Sequence, residues 1–197
     1  MNLNKKYIFL GLILIFIITS LAMLSFASEE KDYINRALKL IDEEKYNEAV
    51  EELEKALAIV RSKANLEFVN ITFTDEEAWG FGIYNSRKNA IFTQGETFFI
   101  YGELKNFSTK EIEKSLYEIY IKSDLFVLDQ DDNVVFGQID FGEFRVTSHR
   151  KSSELMFNTF VEQIDHFPIG NWKFRLVLKD VFSQKTTEVT IDFTIVE

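Results

Sequence analysis

The stretch that most constrains the fold is the last third of the chain, "FPIGNWKFRLVLKD" followed by "FSQKTTEVTIDFTIVE". Trp172, Phe174, Leu176 and Leu178 alternate with Lys173, Arg175 and Lys179. After a break at Ser183 and Gln184, Val189, Ile191, Phe193 and Ile195 alternate with Thr190, Asp192 and Thr194. A period of two predicts two strands, each with one apolar face, joined as a β-hairpin. Such a pair cannot stand alone in water, so chain upstream must supply a second apolar layer.

The composition has the means to do so. Of 197 residues 46% are hydrophobic, and the 20 phenylalanines are first of all core filling and only secondarily a recognition surface. There is no cysteine, which removes disulfides, thiolate catalysis, zinc–cysteine sites and lipid-modified cysteine together. The net charge of -10 offers no basic cluster to displace the counterions of a phosphate backbone, which argues against nucleic acid and anionic lipid surfaces as partners.

Residues 1–27 read as a targeting segment. Lys5 and Lys6 precede "YIFLGLILIFII" and "LAMLSFAS", and Ser25 and Ala27 put small residues where a signal peptidase reads. The alternative is a retained anchor, since no charge occurs from Tyr7 to Ala27, a stretch long enough to span a bilayer. Either way the remainder is expected outside the cytoplasm, and the membrane is touched only through this segment if it is not cleaved. Its removal leaves 20 basic against 32 acidic side chains.

Residues 29–63 read as a helical hairpin. Tyr33, Ala37 and Leu40 or Ile41 share one helical face, while Ala49, Leu53, Ala56 and Val60 form a second stripe with Val50 and Leu57 beside it. The break is expected near Glu43 to Tyr46, with Asn47 as the N-cap of the second helix. On Tyr33, Ala37, Leu40, Tyr46, Ala49, Leu53 and Ala56 this stretch resembles one tetratricopeptide repeat. That family stacks its repeats, so the resemblance implies an uncovered face. The hairpin is then either an appendage packed on the following domain or a unit that binds a partner or itself through Ile34, Leu38, Val50 and Leu57.

Residues 65–197 read as β throughout. "LEFVNITFT" places Val69, Ile71 and Phe73 on one face, and Tyr117, Ile119, Ile121, Leu125 and Val127 follow a spacing of two. With "ETFFIYGEL", "NVVFGQIDF", a short "EFRVT", "SELMFNTFVEQI" and the closing hairpin, this predicts about eight strands. The expected architecture is mainly β, an antiparallel immunoglobulin-like or fibronectin-like β-sandwich behind the small helical hairpin, with a closed barrel as the alternative. The pairing of "GFGIYNSRKNAIFTQGETFFIYGELKNF" with Pro168, Gly170, Trp172 and Asp180 resembles exported bacterial proteins with immunoglobulin-like modules. That likeness implies a fold and an extracytoplasmic place, and no activity.

Two sequence patterns invite a ligand. In "LDQDDNVVFGQID", Asp129, Asp131 and Asn133 have the first spacings of a calcium loop and Asp140 falls at its closing position. The same acids, flanked by strands, also make an ordinary hairpin turn, and Val134 stands where the calcium loop needs glycine. In "EEAWGFGIYNSRKN", Trp79, Phe81 and Tyr84 are spaced by Gly80 and Gly82, so the rings either plug the fold or form an exposed platform for a sugar or peptide. His149 and His166 sit in no metal or nucleophile pattern, and Glu76 and Glu77 are adjacent acids between strands. No phosphate loop, nucleophile elbow or cofactor motif is present. The sequence therefore points away from an enzyme. It leaves an envelope interaction protein, engaging another envelope protein or itself through the hairpin or an open sheet edge, or a carbohydrate-binding module using the aromatic loop.

Overall fold

The computed structural model describes residues 28–162 and 167–197. The export segment at 1–27 and His166 lie outside these. The described chain is mainly β with two helices ahead of the strands, and it divides between Val60 and Arg61 into two compact units.

In the first unit, α1 (Glu29–Asp42) begins at Ser28, whose carbonyl accepts the amides of Lys31 and Asp32. Glu29, Glu30 and Asp32 complement the positive helix end. The helix ends in a Schellman arrangement: Lys45 N–H donates to Leu40 O at 2.8 Å and Glu44 N–H to Ile41 O at 2.9 Å. Glu44 takes the left-handed conformation, at φ 59°, that glycine usually fills. The second helix, α2, is Tyr46–Lys63. It starts two residues earlier than expected, with Lys45 O accepting Ala49 N–H at 3.0 Å, so Lys45 caps it and Asn47 lies inside the first turn. The buried residues are small: Ala37, Ala49 and Ala56. Leu53 and Val60, expected in the same stripe, are 43% and 46% exposed. Arg36 of α1 is ion-paired with Glu52 of α2 and lies over the Tyr33 ring.

The second unit holds two sheets. The strands β1 (Glu67–Thr74), β3 (Phe98–Lys105) and β7 (Glu154–Val161) form an antiparallel sheet in the order β1-β3-β7. The other sheet runs β2 (Ile91–Thr93), β9 (Thr186–Val196), β8 (Gly170–Asp180), β5 (Leu116–Leu128) and β4 (Lys110–Glu113), with β6 (Val134–Ser148) on the far edge of β5. The β2–β9 pair is parallel and its other pairs are antiparallel. Inward side chains of both sheets share one core. Its centre is aromatic: Phe98 of β3 meets Phe92, Phe174 and Phe193, and Phe174 stacks on Phe193 across the closing hairpin at 4.4 Å.

The closing hairpin forms with the expected alternation, Phe174 standing opposite Ile191 and Leu176 opposite Val189. Two other strands differ from expectation. A register shift between Phe68 and Asn70 bulges β1 at Val69, so Phe68 rather than Val69 packs on the core. "NVVFGQIDF" and "EFRVT" are one strand, β6, interrupted at Ile139 to Phe141, where Asp140 is at φ 52° and its amide donates to Asp124 Oδ1 at 3.0 Å. The short strands β2 and β4 had no alternation long enough to announce them.

Candidate functional site

The aromatic loop leaves β1 after Thr74 and doubles back on itself. Trp79 N–H donates to Ile83 O at 2.9 Å and Ile83 N–H to Gly80 O at 3.0 Å. Gly82 turns the chain at φ 69°, a conformation that costs a side-chain-bearing residue energy. The loop is held from beneath. Asn158 Nδ2 donates to Ala78 O at 2.9 Å, and Gly82 N–H donates to the Tyr101 hydroxyl at 2.7 Å. That hydroxyl in turn donates to Glu103 Oε1 at 2.7 Å. Burial, foremost, pushes the Tyr101 phenol up to about 12.

The three rings named from the sequence do not act together. Tyr84 is turned inward, stacked on Tyr101 with centroids 4.2 Å apart and its hydroxyl accepting from Asn70 Nδ2 at 2.8 Å. Trp79 and Phe81 point out, 75% and 43% exposed, joined by Ile83 at 58%. Neither a full plug nor a three-ring platform is formed. Tyr101, the residue that fixes the loop, was hidden in "ETFFIYGEL" because its value lies in a long-range hydrogen bond.

The acidic stretch between β5 and β6 is a closed turn. Asp129 N–H donates to Asn133 O at 3.0 Å, and Asp129 Oδ1 accepts the amides of Asp131 and Asn133, both at 2.9 Å. The Asn133 side-chain amide and these backbone donors hold the Asp129 carboxyl below its ordinary range. Asp132 pairs with Lys173, and Asp140 sits in the β6 irregularity facing Lys122. Asp129, Asp131, Asn133 and Asp140 therefore do not converge on one point, and among the described residues no group of three or more acids or histidines is placed to hold a metal.

The buried carboxylates are occupied by structural partners. Glu118 receives both arms of Arg145, and Asp124 receives Lys179 and the Asp140 amide. Asp180 accepts from the amides of Ser108 and Phe182 and from the Ser183 hydroxyl. His149 bonds the Ser115 carbonyl, while Ser148 Oγ accepts the Arg150 amide, so the two adjacent side chains do not form a dyad.

Among the described residues, exposed apolar side chains recur on the helical unit and on β6. On the helical unit Ile34, Leu38, Val50 and Leu57 are 40%, 55%, 51% and 46% exposed, with Ile41, Leu53 and Val60 open beside them. On the β unit, Val134, Val135, Phe136, Ile139 and Val146 of β6 are all exposed. The sequence signal for the latter was three consecutive apolar residues, since a strand over one core can bury only alternate ones.

No family model matches this chain, and no curated protein is similar to it. Among solved structures it is similar to an alkylpurine DNA glycosylase of Pseudomonas fluorescens bound to DNA containing an abasic site analog, at 8% identity and TM-score 0.37 over 74% of this chain and 34% of that one. It is similar to a β-glucosidase of Listeria innocua in complex with glucose, at 12% identity and TM-score 0.34 over 67% and 16%. A sporulation control protein of Bacillus subtilis gives 10% identity and TM-score 0.33 over 68% and 50%. The chain thus spans half or less of the length of each, and no functional argument follows from likeness at this level.

Proposed function

We propose that this chain is an exported, non-catalytic interaction module of the cell envelope, in which an immunoglobulin-like β unit accompanies a tetratricopeptide-like hairpin that docks an amphipathic helix of another envelope protein. The observation that carries this reading is the helical unit's choice of what to bury. Its buried positions are alanines, while Ile34, Leu38, Val50 and Leu57 stay exposed. Covering the half of each side chain still open is worth half of the ~1.5–3 kcal/mol of full burial, and the four together offer a partner helix an apolar strip. Glu48, Glu51 and Glu54 are exposed on α2, which favours a partner with basic flanks. Export through residues 1–27 supplies the place, and the structural occupation of every buried carboxylate named above supports a role without catalysis.

The test is photo-crosslinking from Leu38 and Leu57 in the full chain in living cells. Crosslinks to one envelope protein, abolished by Leu38→Glu with Leu57→Glu at unchanged melting temperature, are expected. Crosslinks only from the exposed β-unit residue Thr190 would refute it.

A second reading is favoured by Trp79 alone, whose ring is 75% exposed on a loop pinned at Ala78 and Gly82. An outward indole on a pinned loop is a stacking surface for a sugar ring. Quenching or a blue shift of tryptophan emission on titration with envelope polysaccharide, lost in Trp79→Ala, would select this reading over the first.

A further inference from the structure

We propose that β6 is a self-association edge, on which the β6 strand of a second copy pairs antiparallel about a two-fold axis at Phe141. Among the described residues β6 pairs with β5 and with no other strand, so its outer edge is unpaired along both straight halves, residues 134–138 and 142–148. An edge of this length offers a row of backbone donors and acceptors to another strand, and proteins ordinarily block one with proline or outward lysine. Here β6 has neither, and its one cation, Arg145, is engaged by Glu118. It displays instead Val134, Val135, Phe136, Ile139 and Val146, exposed by 45–68%.

The charge at the two ends of the strand selects the occupant and its direction. The turn before β6 carries the exposed Asp131, beside an Asp132 already paired with Lys173, and the chain after it carries the exposed Arg150 and Lys151. A parallel neighbour would bring like ends together. An antiparallel copy brings the acidic end of each strand to the basic end of the other. With the axis at Phe141, Phe136 faces Val146, Val135 faces Thr147, and Asp131 at the turn comes to Lys151 of the second copy, while Asp132 stays with Lys173 of its own chain. The irregularity at Ile139 to Phe141 then falls on the axis, where it leaves the straight half before it to meet the straight half after it. Two chains of net charge -10 repel at long range, so this local complementarity is what permits their approach. This surface is separate from the helical one, and the Leu38→Glu, Leu57→Glu chain is expected to dimerise normally.

The chain has no cysteine, so introduced ones report cleanly. In the full chain solubilised in mild detergent, Val135→Cys with Thr147→Cys should give a disulfide-linked dimer under mild oxidation, and either single variant should give far less. Asp131→Lys should weaken dimerisation about tenfold, as should Lys151→Asp, and the two together should restore it. Restoration distinguishes a cross-strand pair from damage to the turn and from association through residues 1–27. A chain that sediments as a monomer, or one whose association ignores both single reversals, overturns the proposal. So does failure of the double reversal to rescue while the melting temperature is unchanged.

Discussion

The Tyr101 hydroxyl accepts the Gly82 amide at 2.7 Å, tying the turn of the aromatic loop to the middle of β3. The ring is fully buried while Gly82 is exposed, so the bond meets water on the loop side only. Tyr101→Phe leaves the Gly82 N–H to water and should cost about 0.5–1.5 kcal/mol while accelerating hydrogen exchange at Gly82. An unchanged exchange rate there would show that the loop is held by Asn158 instead.

The same phenol predicts an alkaline limit. Its folded value, about 12, lies above the ordinary tyrosine value. A raised value leaves the stability intact below the unfolded value, near pH ~10, and loses it progressively as pH rises from there through the folded value. Alkaline melts should steepen over that window in the wild type and less so in Tyr101→Phe.

On the acid side the relevant pair is Asp124 with Lys179. Burial pushes the Asp124 carboxyl up, but Lys179 and the Asp140 amide outweigh it and the net shift is down. A depressed carboxylate contributes stability above the ordinary aspartate range, and loses it as pH falls through the lowered value. Lys179→Met leaves the carboxylate buried without its cation. It should cost about 1–3 kcal/mol near neutrality, the partly exposed lysine being screened, and move the acid-unfolding midpoint to higher pH.

In the core, Phe174 and Leu176 are 0% and 1% exposed, and each →Ala change should cost about 2–5 kcal/mol in denaturant titration. Lys173→Ala removes an ion pair to an exposed Asp132 and should cost less than about 1 kcal/mol. Equal effects at the three positions would contradict the observed register.

At the helical turn, Glu44 holds a left-handed conformation at φ 59°. Glu44→Gly relieves that strain and should slow amide exchange in the last turn of α1, a gain of about 0.5–1 kcal/mol. Faster exchange would mean that the Glu44 side chain contributes a contact worth more than the strain.

Where an element's signal is local, the sequence alone determined it. Period-two alternation in β8 and β9 set which face of each turns inward, because a strand over a single core has no other choice. The helical spacing marked Ala37, Ala49 and Ala56, which become buried, together with Leu53 and Val60, which stay exposed, and the residues from Asp129 to Asn133 form the turn their chemistry favours. The tertiary structure decided what depends on partners far away in the chain. Val69 leaves the core because a bulge shifts its register against β3, and Tyr84 turns inward because Tyr101 and Asn70 receive it. Trp79 stays outside because its neighbours Ala78 and Gly82 are held by Asn158 and Tyr101. The openness of the β6 edge is of the same kind: a strand's own residues specify its pleat, but whether its second edge meets another strand is settled only by the order in which strands assemble into the sheet.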